Sequence, residues 1–135
     1  MRSRPGGGTG RRDSDREAHD RLVGTLLRAS LETGQDGVRA LLDPDVTLWV
    51  DAAGSAEATP GVVEGVDDTA RALCRVLRAG PGVDVAVGSV NGRAGLVLRH
   101  DGVVTGVLSV AVRSDRITAV WMVLSPAKLQ GWNHS

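Results

Sequence analysis

The stretch VDVAVGSVNGRAGLVLRHDGVVTGVLSVAVRSDRITAVWMVL, residues 83–124, decides the fold. It holds four runs rich in β-branched residues, divided by Asn91-Gly92, Asp101-Gly102 and Ser114-Asp115. Asn-Gly and Asp-Gly tolerate the positive φ angles of a tight hairpin, so the spacing predicts an antiparallel meander. The runs are apolar on both sides. In the third, Val103, Val107 and Ala111 alternate one way and Val104, Leu108, Val110 and Val112 largely the other. A sheet with one wet face alternates more cleanly. One face therefore needs helices, the other needs different cover, and a second copy of the chain is the simplest. A homodimer through the sheet is expected.

Upstream, Ser14 and Glu17 have capping-box spacing, and Leu22, Val23, Leu26, Leu27 and Leu31 recur at helical period before Gly34. A short helix fits Asp36 to Leu42, closed by Pro44. A first strand fits Val46 to Val50. Asp67 or Asp68 can cap a third helix with Ala70, Leu73, Cys74 and Leu77 on its buried face, stopped by Gly80-Pro81. Pro126 suits the first turn of a closing helix. Helices gathered on one side of a curved sheet make an α+β plan. Residues 1–13, rich in Arg and Gly, read as a disordered tail, leaving 14–135 as a single domain.

Composition excludes several functions. Charges balance at 16 basic and 16 acidic residues, so no global field recruits nucleic acid, and no nucleic-acid partner is expected. All the basic residues but Lys128 are Arg, a bias of GC-rich, actinobacterial-type genomes. The lone Cys74 allows no internal disulfide and reads as an inert core thiol. No apolar run reaches the ~20 residues of a membrane span, and the N-terminus lacks the apolar core of a secretory signal. A soluble cytoplasmic protein is expected. Three scattered histidines, with His100 at a hairpin tip and His134 at the terminus, make no ligand spacing, so neither metal nor cofactor is expected. The stretch PGGGTG, residues 5–10, lacks the strand-before, helix-after context of a phosphate loop.

Several motifs carry a resemblance. LLDPDVTLWVDAAGS (41–55), VEGVDDTARAL (63–73), VNGRAGLVLR (90–99) and SPAKL (125–129) occur in the order and spacing of the SnoaL-like domains of the nuclear transport factor two-like superfamily. The chain resembles most the C-terminal SnoaL-like domain of extracytoplasmic-function sigma factors. Asp51 and Gly54 match that family's Asp-Gly-rich-Lys loop, while Ala52, Ala53 and Ser55 depart from it. Pro126, Lys128 and Leu129 match its closing Asn-Pro-Asp-Lys-Leu motif. The resemblance implies a cone of curved sheet closed by the first helices. In the sigma factors the domain follows two DNA-binding regions and modulates them. About forty residues precede the match here, so a stand-alone copy or detached sensor is expected.

The superfamily's enzymes place acid and base groups on the inner wall, which makes Asp51 the candidate acid/base. It shares a strand face with Thr47 and Trp49 by alternation, and a carboxylate beside indole would have a raised pKa. His19, near the apolar stripe of the first helix, is the candidate assistant. Trp49, Asp51, Arg99 and Trp121 are the candidate ligand-binding residues. Without tyrosine, a Tyr-plus-acid oxyanion hole cannot be built. An Asp–Arg–Asp arrangement of Asp51, Arg99 and Asp84 stays open. Arg71, Arg75 and Arg78 share one face of the third helix and could grip phosphates, or simply be solvated. Three functions follow: a non-catalytic binding or regulatory module with a cavity for a small apolar molecule, a small cofactor-independent polyketide cyclase, isomerase or hydrolase using Asp51, or a protein-interaction module linked to transcription machinery.

Overall fold

The computed structural model describes residues 7–54, 61–78 and 80–133, with side chains from residue 15 onward. The meander forms as expected: β3 (Val83–Val90), β4 (Arg93–His100), β5 (Val103–Arg113) and β6 (Arg116–Val123). At each turn both central residues have positive φ, as in Asn91 (54°) and Gly92 (82°). That is the handedness that matches strand twist. Upstream lie α1 (Gly7–Glu32), α2 (Gly34–Arg39), β1 (Leu42–Asp51), β2 (Gly61–Glu64) and α3 (Val66–Leu77), and α4 (Gln130–Asn133) follows the meander. The sheet order is β2-β1-β6-β5-β4-β3. All neighbours are antiparallel except β1 and β6, which run parallel with Leu48 opposite Val120 and Trp49 opposite Trp121.

Helices α1 and α3 pack on one face of the sheet, and α2 packs against both of them. Leu26, Leu48, Leu73, Leu96, Leu108 and Ile117 belong to one core cluster, each at most 1% exposed. On α3 the expected face is the buried one, with Ala70, Leu73, Cys74 and Leu77 inside. Its cap is Gly65 at φ 93°, and Asp67 and Asp68 sit in the first turn, where they oppose the positive end of the helix dipole.

Several expected boundaries move. The first helix begins at Gly7, so Ser14 and Glu17 lie within it and residues 7–13 of the expected tail belong to a helix. Extending a nucleated helix costs little, since each added residue gains a hydrogen bond. Residues 1–6 and His134 lie outside the described residues. Leu31 is 55% exposed, and Ser30 takes the buried position with its hydroxyl donating to the Leu27 carbonyl at 2.8 Å. The short strand β2, which pairs with β1, had no sequence signal of its own.

Two bulges overturn simple alternation. One at β4–β5, between Leu98 and Arg99, puts Val104 on the same outer side as Val107, not with Leu108 and Val110. Another at β5–β6, between Ala111 and Val112, lets Ile117 enter the helix-side core although it shares parity with Trp121. An extra residue in a ladder reverses which side its successors face.

The outer face has partial cover from the chain itself. Leu129 is 2% exposed and seals a second cluster with Val90, Val97, Val104 and Val107. The Asn133 side chain acts as a substitute strand there, donating to the Val104 carbonyl at 3.1 Å and accepting from the Val104 amide at 2.7 Å. No described helix is long and apolar enough to cross a membrane.

Packing between the faces leaves no room at Gly95. A Cβ there would run into the Leu108 carbonyl oxygen and lie 2.7 Å from Val90 Cγ2. Gly24 in α1 has nothing within 4 Å. Gly95→Ala should therefore cost about 2 kcal/mol or more in denaturant unfolding, and Gly24→Ala should gain up to about 1 kcal/mol from helix propensity.

Candidate functional site

Strand β1 alternates cleanly near its end. Val46 and Leu48 are fully buried on the helix side, which turns Thr47, Trp49 and Asp51 to the outer face. On β6, Val120 and Met122 are buried on the helix side, which turns Trp121 outward beside Trp49. The two indoles stack with ring centroids 5.4 Å apart and planes within 9°. Each remains about two-fifths exposed, Trp49 at 40% and Trp121 at 42%. Val62 on β2, opposite Trp49 and 56% exposed, extends the same row. An apolar ridge thus crosses three strands on the face away from the helices.

At one end of the ridge, Asp51 forms an ion pair with Lys128. The strand-end loop and the closing segment meet here. The Leu124 amide donates to the Asp51 carbonyl at 2.7 Å, and a Cβ on Gly54 would lie 3.8 Å from Pro126 Cδ. Two of the four motifs that carry the family resemblance, with Asp51 and Lys128 lying 77 residues apart, therefore meet in one structural corner. The Lys128 hydrogen bond holds the Asp51 carboxyl below the ordinary carboxylate range. Desolvation opposes this, while the Ala53 amide and the Lys128 charge reinforce it. The raised pKa expected from indole neighbours is thus reversed, because the nearest group is an ammonium rather than apolar surface. A general acid at neutral pH needs the opposite shift.

The other candidates lie apart from Asp51. His19 is buried at 3% exposure on α1, and its Nε2–H donates to the Ala94 carbonyl on β4 at 2.9 Å. That bond fixes the tautomer and leaves Nδ1 buried without a partner. Asp51 sits in the row Asp51–Val123–Val107–Val97 across β1, β6, β5 and β4. Three strand spacings, about 14 Å, and the sheet itself separate it from His19, so the two form no couple. Arg99 lies two residues beyond Val97 on the outer face, opposite Asp84 across the β3–β4 ladder. Asp84 and Arg99 are cross-strand neighbours with no ion pair between them among the described residues, and Asp51 lies elsewhere, so the triad is not assembled. Lys128 is the ion-pair partner that residue-by-residue reading did not assign to Asp51. Its signal was there, as the chain's single lysine in a motif shared with the same family as the Asp51 loop.

Two open grooves are found among the described residues. One, of about 470 Å³, is lined by Pro126, Gln130, Gly131 and Asn133. The other, of about 420 Å³, lies between α2 and α3. Neither lies between the helices and the sheet.

No protein-family model matches the chain. The extracytoplasmic-function RNA polymerase sigma factor SigJ of Mycobacterium tuberculosis is 32% identical over 124 residues, which cover 84% of this chain and 40% of SigJ. The crystal structure of SigJ superposes with a TM-score of 0.63 at 28% identity, covering 91% of this chain and 48% of the SigJ chain. A nuclear transport factor two-like protein of Burkholderia xenovorans gives a TM-score of 0.53 at 14% identity, covering 87% of this chain and 97% of its own. A de novo designed protein with a curved β-sheet gives 0.58 at 20% identity, covering 87% and 97%. The chain spans about two-fifths of the length of the curated relative. It has the nuclear transport factor two-like fold, with N-terminal helices on a six-stranded, mostly antiparallel sheet, and is related to the C-terminal region of SigJ.

The Asp51–Lys128 pair has a defined pH signature. A carboxyl whose folded pKa lies below its unfolded value contributes stability that is fully present above the unfolded value. That contribution is lost as pH falls through the folded value. Lys128→Met should lower the melting temperature at pH 7, and the gap to the unmodified protein should close at acid pH. In the same variant an NMR titration should find the Asp51 carboxyl back near the usual value of about 3.9.

Proposed function

We propose that this chain is a non-catalytic regulatory module that docks a protein surface of the sigma-factor kind on its outer sheet face. The observation that carries the reading is the stacked Trp49–Trp121 pair, held open on a sheet face where Leu129 covers only the cluster of Val90, Val97, Val104 and Val107. Exposed tryptophans in a contiguous apolar row are what interfaces use as anchors. The acid/base candidates do not support turnover: the Lys128 hydrogen bond lowers the Asp51 pKa, which leaves it unprotonated as an acid and weak as a base, and His19 is engaged behind the sheet.

The relation to SigJ supports the choice of partner. This chain corresponds to only 40% of that sigma factor, so the remainder of SigJ is the kind of surface such a domain works beside. The homodimer expected from the two-faced sheet uses the same ridge and competes with that partner for it. A small apolar ligand between helices and sheet, the alternative, would have to displace Leu26, Leu48 and Leu108, which are fully buried in one cluster.

The test is a titration of this chain with SigJ lacking its matching segment, followed by tryptophan emission. Docking should shift emission to the blue. A Trp49→Ala/Trp121→Ala double variant should weaken binding by about thirtyfold or more, the usual loss for an aromatic anchor. Sedimentation of the chain alone should show a concentration-dependent dimer that Trp121→Glu abolishes. Binding untouched by the double variant would contradict the assignment.

A further inference from the structure

The groove between α2 and α3 lies on the side of the molecule away from the tryptophan ridge. Gln35, Arg71, Cys74, Arg75 and Arg78 line it, around a volume of about 420 Å³. The three arginines follow one another at i, i+4 and i+7 on one face of α3 and its C-cap. Residues at this spacing stand about 5–6 Å apart, one above the other. Arg78 reaches back over α2, where its Nη1 lies 3.8 Å from the position a Cβ would take on Gly34.

The charge balance around this groove is uneven. Arg71 pairs with Asp68 at 2.8 Å, and Arg39 nearby pairs with Asp36 and lies 3.8 Å from Asp67. Among the described residues, Arg75 and Arg78 have no ion-pair partner. The buried thiol of Cys74 registers the same field: burial pushes its pKa up, while Arg78 and Arg39 pull it down. The C-terminal pole of α3 adds about half a negative charge, which two uncompensated guanidiniums outweigh.

We propose that this groove binds an oligophosphate group, as inorganic pyrophosphate or as the phosphate tail of a nucleotide-sized molecule. Guanidinium forks match phosphate oxygens in bidentate fashion, and two on successive turns can hold two linked phosphates. The Gln35 amide adds a neutral donor at the rim, and the arginine stems with Cys74 give an apolar floor. The groove is open to solvent, so it would hold a phosphate group from one side and leave the rest of a larger molecule outside. A long polyanion fits poorly, because Asp36, Asp67 and Asp68 flank the arginines and would repel a phosphate backbone running beyond the groove. The site is independent of the outer-face reading, and either can fail alone.

The experiment is calorimetric titration of the full chain with sodium pyrophosphate, at ionic strength held constant with chloride. Orthophosphate, sulfate, adenosine diphosphate and a single-stranded oligonucleotide serve as comparisons. Saturable binding of pyrophosphate, tighter than sulfate, is expected. Arg75→Gln and Arg78→Gln should each weaken it by about tenfold or more. Arg113→Gln, an exposed change on β5 outside the groove, should leave it unchanged. Equal affinity for pyrophosphate and adenosine diphosphate would assign the anhydride alone, and tighter binding of the nucleotide would assign a larger ligand. Pyrophosphate binding no tighter than sulfate, equal loss in Arg113→Gln, unchanged affinity in both groove variants, or binding of the oligonucleotide alone would each overturn the proposal.

Discussion

The parallel pairing of β1 with β6 is the constraint on which the other features depend. It joins a strand near the start of the chain to the last strand of the meander, with Leu48 against Val120 and Trp49 against Trp121. Parallel strands need a long crossover, and here β2, α3 and three meander strands supply it. The register sets both faces at once. Leu48, Val120 and Met122 go under the helices, and the two indoles go outside. A slip of one residue would exchange these sets, burying indoles under α3 and exposing leucine to water. The same register ends β1 at Asp51 beside Val123, so the chain leaving β6 carries Lys128 directly to that carboxylate.

From that corner the closing segment is led across the outer face. Leu129 fills the space over Val97 and Val107, and Asn133 satisfies the backbone of Val104. The chain thus covers with its own C-terminal residues part of a face that composition alone would have given to a second copy. What it leaves uncovered is the row of Val62, Trp49 and Trp121. An exposed ridge beside a charged corner, on a sheet backed by a filled core, is the surface that the proposed docking would use. The arginine groove belongs to the opposite side, so a ligand there and a partner on the ridge could occupy the molecule together.

Much of the fold was legible in the sequence because its signals were local. Asn91-Gly92, Asp101-Gly102 and Ser114-Asp115 mark the three turns by their need for positive φ. The α3 stripe of Ala70, Leu73, Cys74 and Leu77 marks a buried face by its period. What was not legible depended on distant pairing. The bulges between Leu98 and Arg99 and between Ala111 and Val112 are properties of two strands in register, and a single strand's alternation cannot reveal them. β2 is four residues without its own apolar pattern, formed because β1 offers it an edge. The candidate site was legible as a set of residues but not as an arrangement. Trp49, Trp121 and Asp51 do share one face, yet it is the outer one, and Lys128 reaches Asp51 only through the β1–β6 register. His19 and Arg99 lie several strands away, a separation that no spacing in the sequence encodes.

The proposed docking uses the outer side of the sheet, not the side under the helices. The most direct measurement is the set of ¹H–¹⁵N indole resonances of Trp49, Trp121 and Trp132, recorded while SigJ without its matching segment is added. The account expects the Trp49 and Trp121 signals to move together and saturate, with the methyl signals of Leu26, Leu73 and Leu108 unchanged. Indole signals that stay fixed while those core methyls shift would contradict it, and would place the working surface between the helices and the sheet.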